Sequence, residues 1–303
     1  MTDPTQTAMT KRGRAVIVVL LSGVLFGTTG TAVLLSGIDA SSTAIAATRL
    51  VIGSIGLVFV VCVQRTWADL VALWKRPRVF IMGAGVAAYM GFFFLAVSLG
   101  GAAVASLVSI SLSPVLTGTI ARLFGKPWPG RVWVYSTALA ITGVVLLSAP
   151  TGVDDGTNRV LGALAAVAGS AAYAFYTVLG AKLVDDGHHA TDALAASFSI
   201  GALILLPFLV LDYERILTST GLLVGLWLGL ATTTLAYVLF GVGITHLPPG
   251  IVATMLLSEP AVATLLGVAV LGETMVPRGW IGCALIAIGL FLVGRNEQRH
   301  VSA

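Results

Sequence analysis

Two ionisable side chains stand where an apolar sequence should hold none. Arg49 and Glu259 are the formally charged residues deep inside the long apolar runs of this 303-residue chain. Counting helical rise from the expected helix starts puts each roughly 14 Å in, near the midplane of a ~30 Å hydrocarbon core. Ionisable groups at that depth are costly and mark functional sites by default. Glu259 precedes the helix-breaking Pro260. Its carboxylate fits two roles, binding a substrate or a coupling proton, or serving as a structural carboxylate satisfied by the bundle. The five N–H donors of Arg49 suit a clamp on helix-end carbonyls or on Glu259, and they suit an anionic substrate group as well. Tyr89 and Tyr237 follow alanine at matching places in the two halves, and Tyr173 aligns with Phe26. Their hydroxyls are candidates for fixing a small polar solute in an otherwise apolar cavity. No cofactor or metal is expected: there is no P-loop, no HExxH and no Cys/His ligand spacing. His188 and His189, beside Asp185 and Asp186, read as a solvated turn.

These residues need a scaffold, and composition names it. Hydrophobic residues make up 57% of the chain and charged residues 10%, with mean hydropathy +0.99. That excludes an ordinary soluble domain. Ten apolar segments are long enough to span a bilayer as helices, near 15–35, 40–63, 79–99, 102–121, 132–149, 160–181, 190–211, 220–243, 249–271 and 278–294. The expected fold is an all-α membrane protein. Its parts are an N-terminal stretch 1–14 that is disordered, a five-helix unit 15–149, a linker 150–159, a second five-helix unit 160–294 and a tail 295–303.

The second unit reads as a degenerate copy of the first. Pro114 precedes Arg131 and Trp133 by 17 and 19 residues, and Pro260 precedes Arg278 and Trp280 by 18 and 20. Tyr89 and Tyr237 lie 25 and 23 residues before those prolines. Five spans are odd in number, so a copy must sit upside down, the inverted repeat of secondary transporters. Each proline removes a backbone donor in mid-span. Pro114 and Pro260 are thus either kinks or hinges.

The net charge of +4 is set by topology rather than by nucleic acid, which is not an expected partner. With a cytoplasmic N-terminus, thirteen Lys and Arg fall inside and three, Arg159, Arg215 and Arg278, fall outside. The positive-inside rule then places both termini in the cytoplasm of a multi-pass cell-membrane protein. Cys62 and Cys283 fall within spans and read as packing residues.

The run Ser22–Gly27 (SGVLFG), Ala47-Thr48-Arg49, the two Ala-Tyr pairs and Leu271-Gly272-Glu273 resembles the EamA-type drug/metabolite transporters. The first copy departs from the last motif, with Phe124-Gly125-Lys126 in its place. The resemblance implies a bundle of two inverted repeats around a central cavity that works by alternating access. Family members move amino acids, other metabolites, purines or drugs, usually outward. The expectation is therefore an exporter of amino-acid-like or amphiphilic metabolites, monomeric or homodimeric, with a proton or another ion as the coupling species. An uptake permease or ungated facilitator is the alternative. An integral-membrane enzyme lacks an acid pair or a nucleophile with its base.

Overall fold

A bilayer offers backbone N–H and C=O groups no water, so an apolar chain can cross it only by satisfying them internally. The computed structural model, which describes residues 4–64, 67–148 and 158–299, is accordingly helical, with no strand among those residues. Its helices are α1 (Pro4–Ser36), α2 (Ser42–Gln64), α3 (Trp67–Trp74), α4 (Pro77–Gly100), α5 (Ala102–Leu123), α6 (Arg131–Ser148) and α7 (Arg159–Asp185). There follow α8 (Ala190–Val210), α9 (Tyr213–Ile216), α10 (Ser219–Leu226), a π-helical stretch Trp227–Leu235 and α11 (Ala236–His246). The last are α12 (Pro249–Met255), α13 (Ser258–Leu271) and α14 (Pro277–Arg299). Together they make ten segments long and apolar enough to span a membrane. The eighth is α10, the π stretch and α11; the ninth is α12 with α13.

Packing follows the repeat. The third span of one half lies on the first span of the other, α4 on α7 and α1 on α11. The fourth lies on the first in the same reciprocal way, α5 on α7 and α1 on α13. The second spans meet each other (α2 and α8), as do the fifth (α6 and α14). Exchanging the halves leaves this pattern unchanged, as a pseudo-two-fold axis between inverted repeats requires. Small residues permit the close approaches. A Cβ on Gly143 of α6 would stand 2.5 Å from the carbonyl oxygen of Gly282 on α14, so those helices meet backbone to backbone.

Several features differ from the sequence expectation. Residues 4–14, expected to be disordered, belong to α1, and Arg12 there pairs with the buried Glu297 of α14 at 3.5 Å. The ninth span is two helices rather than one. The expected linker 150–159 is not among these differences, since residues 149–157 lie outside the described part. The connection after α2 holds a short helix, α3, with Leu70 and Leu73 buried. Trp74 there donates to the Ala196 carbonyl of α8 at 3.2 Å.

Candidate functional site

The two spans that carry Pro114 and Pro260 part company. α5 runs unbroken through Pro114. Around it, Ser113 donates to the Ser109 carbonyl and Thr117 to the Ser113 carbonyl, both at 2.6 Å, each a second bond to a carbonyl one turn earlier. The ninth span breaks just ahead of Pro260, between Met255 and Ser258, where the Glu259 N–H turns back to the Leu256 carbonyl. Trp133 of α6 fixes the first half by donating to the Gly250 carbonyl (3.1 Å) and Thr254 Oγ1 (2.9 Å). Trp280, its counterpart in the repeat, is 53% exposed and makes no such bond among the described residues. Of the two hinge candidates, the structure thus places a break only at Pro260. Glu259 opens the second half-helix, in its first turn.

Across from it, α2 presses on the π stretch. A Cβ on Gly53 would meet Thr233 Cβ at 2.5 Å, so only glycine admits this contact. The contact carries Arg49. Its Nε donates to Thr233 Oγ1 at 2.9 Å and its Nη2 to the Thr232 carbonyl at 3.1 Å. Thr233 Oγ1 in turn donates to the Leu228 carbonyl at 2.9 Å. The widened π turn thereby presents a hydroxyl and a neighbouring carbonyl to one guanidinium, a distortion typical of functional sites. The Arg49 guanidinium also lies 5.7 Å from the centre of the Phe26 ring, within cation–π range.

From Phe26 an aromatic chain crosses the bundle. Phe26 meets Tyr237 at 5.2 Å, Tyr237 meets Phe198 at 4.4 Å, and Phe198 meets Tyr176 at 6.4 Å. Tyr176 meets Tyr173 at 5.3 Å, and Tyr173 meets Tyr89 at 5.6 Å, all edge-on. The hydroxyls of Tyr176 and Tyr237 are hydrogen-bonded at 3.1 Å. α1, α4, α7, α8 and α11 each contribute to this wall.

The five sequence-nominated residues thus share one neighbourhood. Glu259 is within electrostatic reach of Arg49, Tyr89, Tyr173 and Tyr237. Among the described residues Arg49 and Glu259 form no ion pair; the guanidinium donates instead to the π stretch. The Glu259 side chain is half-buried and, among the described residues, has neither a hydrogen bond nor an ion pair of its own. An unmatched carboxylate, a guanidinium with N–H groups to spare and a tyrosine wall can together hold a small molecule with a cationic and an anionic end. Tyr176, Phe198, Thr232 and Thr233 complete the site without having been singled out. The signal for Tyr176 is its place three residues after Tyr173, on the same face of a helix. The threonines gave no signal beyond their succession before Leu235.

Comparison with known proteins agrees with this architecture. The chain is 35% identical over 290 residues to the uncharacterized transporter YwfM of Bacillus subtilis (strain 168), covering 94% of this chain and 95% of that one. It is 30% identical over 219 residues to the threonine/homoserine exporter RhtA of Escherichia coli (strain K12), covering 68% and 72%. A crystal structure 21% identical in sequence matches with a TM-score of 0.79 over 94% of this chain and 98% of its own, a likeness of fold. The EamA-like transporter family matches at residues 13–149 and 160–295, one match for each half. With ten membrane-spanning helices in two inverted repeats and relatives that are named transporters, this chain is a membrane transporter, not an enzyme, and belongs to the EamA-like family of the drug/metabolite transporter superfamily.

Proposed function

We propose that the protein is a secondary exporter of small amino-acid-like metabolites, which it moves by alternating access through the site between Arg49 and Glu259. The carrying observation is the half-buried Glu259 carboxylate, without a hydrogen bond or ion pair among the described residues, within electrostatic reach of a guanidinium that is already positioned. A substrate ammonium group would take Glu259, and a substrate carboxylate the N–H groups of Arg49 not given to Thr232 and Thr233. Tyr89, Tyr173 and Tyr237 would enclose the remainder. The exporter RhtA, similar over about two thirds of the chain, supports an amino-acid class. Glu259 would also bind the coupling proton, so that proton and substrate compete for one carboxylate, the simplest antiport scheme. Both termini would face the cytoplasm of the cell membrane, in keeping with the distribution of Lys and Arg.

Counterflow in proteoliposomes tests the substrate class, with labelled threonine, homoserine, a nucleobase and a cationic dye offered in parallel. The amino acids should exchange and the others should not. Exchange of the dye or nucleobase alone would overturn the zwitterion reading.

A further inference from the structure

Ion pairs fasten both ends of the bundle, and the repeat relates them. At the end assigned above to the cytoplasm, the α7–α8 turn carries Asp185 and Asp186. Lys126, from the α5–α6 loop, reaches Asp185 at 2.6 Å. Arg78, at the start of α4, reaches Asp186 at 2.6 Å. Both cations belong to the first repeat and both carboxylates to the second. The register that matches Phe26 with Tyr173 and Lys126 with Glu273 also matches Asp39, in the α1–α2 turn, with Asp186. At the opposite end Asp39 faces Arg215, which precedes the third span of the second repeat, as Arg78 opens that of the first. That pair is slack, at 3.9 Å, with the Asp39 side chain 99% exposed. The Lys126–Asp185 pair has no equivalent in that register, because Glu273 stands in place of Lys126 and Ile38 in place of Asp185; instead the Ser41 N–H ties the α1–α2 turn to Asp212, which also meets Arg215 at 3.5 Å.

We infer that these pairs form a reciprocal latch: Lys126–Asp185 and Arg78–Asp186 hold the cytoplasmic end shut, and Asp39–Arg215 tightens when that end opens. This inference rests on the alternating-access reading. Ion pairs exposed to this degree each shift an equilibrium by about two- to fivefold, an amount that a substrate can still overcome.

The test measures opening without transport. In a Cys62→Ser, Cys283→Ser background, Ala181→Cys places a thiol at a buried site on α7, where the Ala181 carbonyl lies 3.5 Å from the Lys126 ammonium. Its rate of reaction with N-ethylmaleimide is followed in the purified full-length protein without substrate. Lys126→Asp and Asp185→Lys should each speed labelling about two- to fivefold, and the double exchange should return it to the parent rate. Arg78→Asp with Asp186→Arg should repeat that pattern. Asp39→Asn, which weakens the other latch, should slow labelling instead. Rates indifferent to reversal, a double exchange that fails to restore the parent rate, or Asp39→Asn that speeds labelling would each overturn the latch. A parent protein inactive in counterflow whose labelling still follows this pattern would leave the latch standing and sink the transport reading. An active parent with indifferent labelling would do the reverse.

Discussion

Thr233→Val probes how Arg49 is aimed without touching its charge. Valine keeps the branched shape packed against Gly53 and removes the hydroxyl that accepts the Arg49 Nε proton at 2.9 Å. A hydrogen bond to a charged group contributes about 1.5–3 kcal/mol. The Thr232 carbonyl still holds Nη2 at 3.1 Å, so the guanidinium is not released but loses one of two fixed points. If its remaining N–H groups meet the substrate carboxylate, substrate affinity should fall by about tenfold, the equivalent of ~1.4 kcal/mol. Arg49→Lys replaces the planar fork with a single ammonium and should cost about ten- to a hundredfold. Thr233→Ser restores the acceptor and should bind nearly as the parent does. The assay is equilibrium binding of labelled substrate to purified protein, with thermal unfolding recorded alongside. Parent-like affinity in Thr233→Val and Arg49→Lys together would refute the reasoning and leave Arg49 as a purely structural clamp. Weakened binding in Thr233→Ser equal to that in Thr233→Val would show that packing, not the hydroxyl, was at stake.

Tyr237→Phe removes one partner of the 3.1 Å hydroxyl pair and strands the buried Tyr176 hydroxyl, a loss of about 1–3 kcal/mol that should appear as a lower unfolding temperature. The double variant Tyr176→Phe, Tyr237→Phe should recover part of it, because neither hydroxyl is then left unmatched. Outside the membrane, the Ser41 backbone N–H donates to Asp212 at 2.6 Å, and this bond, with a smaller contribution from Arg215, holds that carboxyl below the usual aspartate range. A lowered value means that the tie between the α1–α2 turn and α9 is complete above the unfolded value near ~3.9 and is lost as pH falls through the folded one. Hydrogen exchange at the Ser41 amide should therefore lose protection on acidification in the parent, and should be weakly protected at every pH in Asp212→Ala.

The spans were legible because a bilayer leaves few ways to bury an apolar chain, and the inverted repeat because prolines, tyrosines and charged turns recur in order. Arg49 and Glu259 stood out for the same reason: against so apolar a background an in-span charge needs a purpose. What stayed hidden are shifts of a single hydrogen-bond register. The π stretch is fixed by contact with α2, with Arg49 meeting Thr232 and Thr233 across a glycine. The break before Pro260 differs from the unbroken α5 at Pro114 through distant partners such as Trp133, which anchors α12. Local sequence around the two prolines does not separate these outcomes. Nor does it foretell that Asp185 and Asp186 are ion-paired, since Lys126 and Arg78 lie far along the chain. The helical start at Pro4 likewise goes with a long-range pair, Arg12 with Glu297.

The central claim is that Glu259 receives both the substrate ammonium and the coupling proton. Glu259→Gln keeps the shape and hydrogen-bonding capacity of the side chain and abolishes its titration. The decisive measurement compares, in proteoliposomes whose parent protein accumulates substrate under an imposed pH gradient, gradient-driven accumulation with downhill counterflow at saturating substrate. The account predicts that Glu259→Gln loses accumulation and retains counterflow, with weakened affinity. Accumulation that survives Glu259→Gln unchanged would contradict it.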